Sequence, residues 1–261
     1  MSSKSIYESI KKATVAIAIA HPETLPKKPF TIIGSGFCIH KDGVIVTCEH
    51  VFKTFTHPES YQRCLEAINE GKDSIISDLK GIVPHAIFFS HSQGHEIFMN
   101  PVPIMNAVAK TDFDLAAFKL QKHSSYSQGY PTLEIAEYGE LYETMEVGTC
   151  GYPLGNFLQE QVGTVTSSFT KGMISSIIPA PNIAREQVRR FQLDLTATNG
   201  NSGGPVYSLA TGKVFGVLQG GVVHPDTKQS VQGLSVAEPI YPLLENGLIN
   251  RLAASVPMTM F

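Results

Sequence analysis

An all-β fold, a sandwich or a barrel, is what the sequence predicts, and three observations carry that prediction. Short β-rich stretches such as "ATVAIAIA", "TIIGSGFCIH", "GVIVTCEHV", "LAAFKL", "GMISSIIP" and "KVFGVLQGG" recur along most of the chain. Glycine-containing turns separate them, a spacing that argues against a parallel α/β sheet. Asp42-Gly43 gives the clearest hairpin signal, because both residue types tolerate the positive φ of a tight β-turn. With 261 residues the chain can form one large domain or two small ones.

Taken in order, "MSSKSIYESIKK" precedes the alternating apolar run "ATVAIAIA", which reads as a first strand. The same segment could serve as a charged leader with a small-residue cleavage site at Ala20. Its apolar run is short for that role and Glu8 is unusual in it, so the strand is preferred and a cytoplasmic location is expected. Two strands then flank "KDG". Pairing His40 with Val44 sets Cys38 opposite Val46, so Cys38 and Cys48 should not bridge, and reduced thiols at Cys38, Cys48, Cys64 and Cys150 are expected. Residues 58–81 look helical, with Leu65, Ile68, Ile75, Ile76 and Leu79 between charges and a break at Gly71. Strand-like stretches resume at "HAIFFS" and continue to "GLSVAEP". Residues 239–255 place Leu243, Leu244, Leu248, Ile249 and Leu252 on one helical face, weakened at Gly247.

Composition excludes several classes. Net charge is −3, and basic residues run no longer than pairs such as Lys11-Lys12 or Arg189-Arg190, so a nucleic-acid surface has no support. No apolar run approaches the roughly 18 residues of a membrane span. His85, His91 and His95 cluster, but only His91 and His95 fit half of a zinc pattern, and no second pair follows; neither a metal nor a cofactor is expected.

The stretch "TNGNSGGPVYS", residues 198–208, surrounds Ser202 with Gly200, Gly203 and Gly204. A serine hydroxyl becomes nucleophilic only when a base takes its proton, and the oxyanion it creates needs preorganised donors. Glycines let the backbone turn sharply and aim consecutive N–H groups into one pocket. His50, directly after an apolar strand, is the candidate base. Asp114 and Asp112, at the entrance to "LAAFKL", are candidate carboxylates that would hold the imidazole's tautomer. On an extended strand these two lie on the same face, so local pattern leaves both open.

The order His, Asp, Ser in these contexts resembles the trypsin-like, chymotrypsin-fold serine proteases, most of all the HtrA/Deg branch. "GSGFCIHKDGVIVTCEHV", "DFDLAAFKL", "GYPLG", "DLTATNGNSGGPV" with its aspartate eight residues before the serine, and "GLSVAEPI" carry the likeness, which covers most of residues 6–250. It implies two six-stranded antiparallel β-barrels with the site between them. The N-terminal barrel would occupy about 12–125 with a helical insertion at 58–81, the C-terminal barrel 130–238 and a closing helix 239–255.

The resemblance also implies the roles. Ser202 is the nucleophile, His50 the base, Asp114 the carboxylate because it directly precedes Leu-Ala, and Gly200 and Ser202 N–H the oxyanion hole. Thr196, Ala197, Gln219 and Gly221 would line the pocket for the residue before the scissile bond. Thr196 stands where basic-residue cleavers carry aspartate, so a small or medium apolar side chain is expected. The backbone of 219–221 would pair with a protein or peptide substrate by strand addition. Asn201 replaces the aspartate that pairs with a new N-terminus in cleavage-activated relatives, so the oxyanion loop should be pre-formed or ordered by a partner, the insertion 58–81 being the candidate docking site. With 59 residues after Ser202, no PDZ domain is expected. Cys48, two residues before His50, is expected to pack as a small hydrophobe behind it.

Overall fold

The computed structural model describes residues 3–20, 30–55, 83–91, 97–155, 165–227 and 229–255. A helix the sequence reading missed, α1 (Ser3–Ala13), leads straight into β1 (Thr14–Ala20). Ile6, Ile10 and Ala13 recur at helical spacing and are buried, while serines and lysines face outward. β1 is buried along nearly its whole length. Its large odd residues Val15, Ile17 and Ile19 join the main core with Phe37 and Phe118, whereas Ala16 and Ala18 pack with Tyr152 and Val165. Alternation of large and methyl side chains thus fills a barrel on one face and admits a close neighbour on the other.

β2 (Phe30–His40), β3 (Val44–Cys48), α2 (Glu49–Phe55), β4 (Val83–His91), β5 (Ile97–Lys110) and β6 (Leu115–Leu120) follow. With β1 the strands close a barrel in the order β1-β2-β3-β6-β5-β4. β7 (Glu146–Gly151), β8 (Ser168–Ile178), β9 (Arg190–Asp194), β10 (Pro205–Ser208), β11 (Val214–Val223) and β12 (Ser230–Pro239) close a second one in the order β10-β11-β12-β9-β8-β7. Neighbouring strands are antiparallel throughout. The fold is the expected pair of closed six-stranded barrels.

Two local expectations need correction. A bulge between Cys38 and His40 shifts the β2–β3 register, so Cys38 faces Ile45 and Phe37 faces Val46. The conclusion about bridging survives, since Cys38, Cys48 and Cys150 are buried and free. The C-terminal helix is split into α3 (Tyr241–Leu244) and α4 (Leu248–Ala254). Asn246 and Gly247 adopt left-handed backbone, φ 53° and 66°, which a right-handed helix cannot contain. The expected helix at 58–81 lies outside the described residues.

Candidate active site

β3 runs directly into α2, which places His50 at that helix's second residue. Asp114 follows a short 3₁₀ turn, Thr111–Phe113, in a left-handed conformation (φ 45°, ψ 41°) that aspartate tolerates better than most residues. The turn corrects the premise that Asp112 and Asp114 share a strand face: the chain is not extended there, and Asp112 is exposed. Asp114 Oδ1 accepts the His50 backbone N–H at 2.8 Å, and Oδ2 lies 2.8 Å from His50 Nδ1. Gln219 Nε2 donates to the same Oδ2 at 3.1 Å, and Glu49 N–H donates to the Asp114 carbonyl at 2.9 Å. Burial pushes the Asp114 carboxyl up, but the bonds and charge from His50 with the bond from Gln219 outweigh it, leaving the group below the usual range. An ionised carboxylate only accepts, so the Nδ1 facing it carries a proton.

Ser202 lies on the other barrel, in the loop between β9 and β10. Every peptide carbonyl from 199 to 202 has a donor. Leu154 N–H serves Asn199 (2.9 Å), Ser35 Oγ serves Gly200 (2.6 Å), Gly204 N–H serves Asn201 (2.9 Å) and Ser35 N–H serves Ser202 (2.8 Å). Asn201 N–H is taken by the Thr198 carbonyl and Gly203 N–H by that of Leu218. The N–H groups of Gly200 and Ser202 donate to no acceptor among the described residues. In a trans peptide the N–H points opposite its own carbonyl. Fixing the Asn199 and Asn201 carbonyls therefore aims the Gly200 and Ser202 N–H groups away from those anchors.

Only glycine fits at three points of this loop, one of them Gly204, where a Cβ would lie 2.4 Å from the Cys150 carbonyl oxygen. Gly203 has φ 88°, and a Cβ there would lie 2.1 Å from the Ser35 carbonyl oxygen; Gly200 has φ 98°, and its Cβ would lie 2.5 Å from that of Tyr152. Ser202 Oγ donates to the Gln219 carbonyl at 2.8 Å and shares no hydrogen bond with His50. Gln219 thereby touches both Ser202, through its carbonyl, and Asp114, through its amide.

Of the residues assigned to the substrate pocket, Gln219 has its amide turned onto Asp114. Thr196 and Gly221 are exposed, and a Cβ on Gly221 would stand 3.4 Å from the Ala197 carbonyl oxygen, so these segments face each other across a narrow gap. Buried Ser235 pins the first of them, accepting from Ala197 N–H (3.1 Å) and donating to the Leu195 carbonyl (2.7 Å).

Sequence reasoning missed Ser35, Glu49 and Glu238. Glu49 and Glu238 are buried beside the dyad, paired with Lys53 (3.0 Å) and Arg190 (2.7 Å) respectively. Both are polar positions in apolar strand-end contexts, a signal that was available; Ser35, between two glycines in "GSGF", gave none. Cys48, His50 and Asp114 offer ligand atoms within 4.8 Å of one another. Burial, with Asp114 adding to it, raises the Cys48 thiol well above its ordinary range, and Sγ sits 3.2 Å from the Leu218 carbonyl. A protonated thiol and a carboxylate already engaged by histidine suit proton handling better than metal ligation.

A two-barrel fold with such a histidine–aspartate pair and glycine-cradled serine defines the chymotrypsin-like class, and residues 34–217 match the family model of the trypsin-like peptidase domain. The chain belongs to that family. Over 186 residues it is 27% identical to a protein of Halomonas elongata described as a probable periplasmic serine endoprotease, DegP-like; the match covers 71% of this chain and 28% of that protein. The chain thus spans less than a third of that relative's length, and the likeness falls on the HtrA/Deg branch that the motifs indicate.

Proposed function

We propose that this protein is a serine endopeptidase in which Ser202 is the nucleophile, His50 the general base and acid, and Asp114 the orienting carboxylate. The loop's hydrogen bonds support this most strongly: the four carbonyls from 199 to 202 and the Asn201 and Gly203 N–H groups are engaged, while the Gly200 and Ser202 N–H groups that an oxyanion would need donate to no acceptor among the described residues. Ser202 Oγ attacks the scissile carbonyl carbon while His50 Nε2 takes its proton, and Gly200 and Ser202 N–H hold the oxyanion. His50 then gives the proton to the departing amine, and water, activated by the same nitrogen, releases the acid. Thr196, Ala197 and Gly221 carry no charge into the neighbouring gap, which favours a small or medium apolar side chain before the cleaved bond. The Gln219–Gly221 backbone would receive the substrate as an added strand. A fluorophosphonate probe should label the wild type and not Ser202→Ala; labelling retained by the variant refutes the assignment.

One observation favours a second reading, a protease switched on by a partner. Ser202 Oγ is turned to the Gln219 carbonyl, so attack requires rotation about Cα–Cβ toward His50. Resting enzymes often tighten such contacts only with substrate bound. Deleting 58–81 tests the partner: peptide hydrolysis unchanged by the deletion rejects that segment as the regulatory dock.

We further propose a cytoplasmic protein that keeps residues 1–20. Cleavage after Ala20 would remove β1, which pairs with both β2 and β4, and the three buried thiols are unpaired. Sequencing the N-terminus of the mature protein decides the point; a start after Ala20 would instead favour the compartment in the relative's name.

A further inference from the structure

We propose that Ser35, on the N-terminal barrel, is a positioning residue for the oxyanion hole on the other barrel. The inference rests on Ser202 being the nucleophile. Ser35 is completely buried, and its hydroxyl has two partners: it donates to the Gly200 carbonyl at 2.6 Å and accepts Tyr152 N–H at 2.9 Å. Tyr152 begins the turn whose Leu154 N–H fixes the Asn199 carbonyl. One hydroxyl therefore joins the anchor of the Gly200–Asn201 peptide to the turn that anchors the Asn199–Gly200 peptide, the unit that carries the first oxyanion donor.

The other anchors of that loop are backbone groups, and they persist whatever side chains surround them. Ser35 Oγ is the one carbonyl anchor from 199 to 202 that mutation can delete. Its backbone serves the same end: Ser35 N–H holds the Ser202 carbonyl, and the Ser35 carbonyl, which Gly203 approaches too closely for a Cβ, accepts from Thr47 Oγ1 at 2.7 Å. Without the hydroxyl, the Tyr152 N–H and Gly200 carbonyl are left unpaired in a dry site, and the loop regains partners only by moving. Movement of the Gly200 carbonyl reorients the adjoining peptide, so Gly200 N–H no longer points where the oxyanion forms. Closure of the two barrels and readiness of the hole are then one event.

The test is Ser35→Ala, with Ser35→Cys as a second variant that keeps the volume and offers a poor donor. Losing an oxyanion donor outright costs about 10²–10³ in kcat. Misaiming one should cost about 10–100-fold in kcat, with KM changed less than threefold. A peptide boronate, whose adduct on Ser202 places a tetrahedral oxygen in the hole, should lose affinity by the same factor. A purely packing role would lower the melting temperature without that parallel. If Ser35→Ala does not fold, Ser35→Cys is read by the same criteria. Either variant folded with kcat within twofold of wild type, or a kcat loss without matching boronate loss, overturns the proposal. Wild-type protein that the fluorophosphonate fails to label at Ser202 overturns the protease reading itself, and this proposal with it; labelled, active wild type with unchanged variants overturns only the role of Ser35.

Discussion

Glu238→Gln should reverse a loss of stability that the wild-type protein suffers between mildly acidic and neutral pH. Glu238 is 2% exposed, and burial lifts its carboxyl from its ordinary value of 4.5 to about 7; Arg190 lowers it and Asp114 adds to the rise. Between those two values the unfolded chain has released the proton and the folded chain still holds it, so stability falls as pH rises. The contribution is fully present below 4.5 and gone once pH passes about 7. A shift of that size corresponds to about 3 kcal/mol at 1.36 kcal/mol per pH unit. The Arg190 end of the pair is 44% exposed and solvated, which reduces the expected figure to about 1–3 kcal/mol. Glutamine keeps the shape and still accepts from Arg190, so the substitution removes the titration and little else. Urea unfolding of both proteins at intervals from pH 4.5 to 8 gives the difference directly, with other titrating groups cancelling. Curves that stay parallel across the range would show that Glu238 ionises normally and that its burial has been misjudged.

Asp114→Asn should lower turnover by about 10⁴ with folding preserved, because the amide favours the wrong imidazole tautomer, whereas Asp112→Asn, altering an exposed side chain, should leave peptide hydrolysis within twofold. Gly203→Ala combines a φ of 88° with a Cβ 2.1 Å from the Ser35 carbonyl oxygen, and thermal melting should show a loss of at least about 3 kcal/mol or failure to fold. Removing residues 1–20 deletes a strand paired on both sides, so circular dichroism should show no cooperative transition. Acid should also uncouple the dyad: Asp114's lowered carboxyl contributes stability above its unfolded value and loses it as pH falls through the folded one, and Asp114→Asn should flatten wild-type acid unfolding in that range.

How much was readable depended on whether a residue's environment is local. His50 and Ser202 stand beside their own signals, an apolar strand end and a run of glycines. The choice between Asp114 and Asp112 turned on backbone that alternation cannot reveal, a 3₁₀ turn ending in a left-handed aspartate. Gln219 was assigned to the pocket by resemblance to the family, and nothing in its local sequence shows that its amide bonds to a carboxylate from the other barrel. Ser35 was invisible since its partner is 165 residues away. The β2–β3 register slipped by one because a bulge leaves no mark in an apolar run. α1 was mistaken for a charged lead-in, its apolar face consisting of Ile6, Ile10 and Ala13 amid serines and lysines.

That helix bears on how the protein is made. Ile6 and Ile10 settle against Leu133 and Gly212, with a Cβ on Gly212 only 3.1 Å from Ile6 Cγ2. α1 is therefore translated some 200 residues before the surface that seats it is finished, a delay of about 10–40 s at 5–20 residues per second. Through that interval the nascent chain carries an amphipathic helix without its final seat, and completion of the second barrel is what retires it.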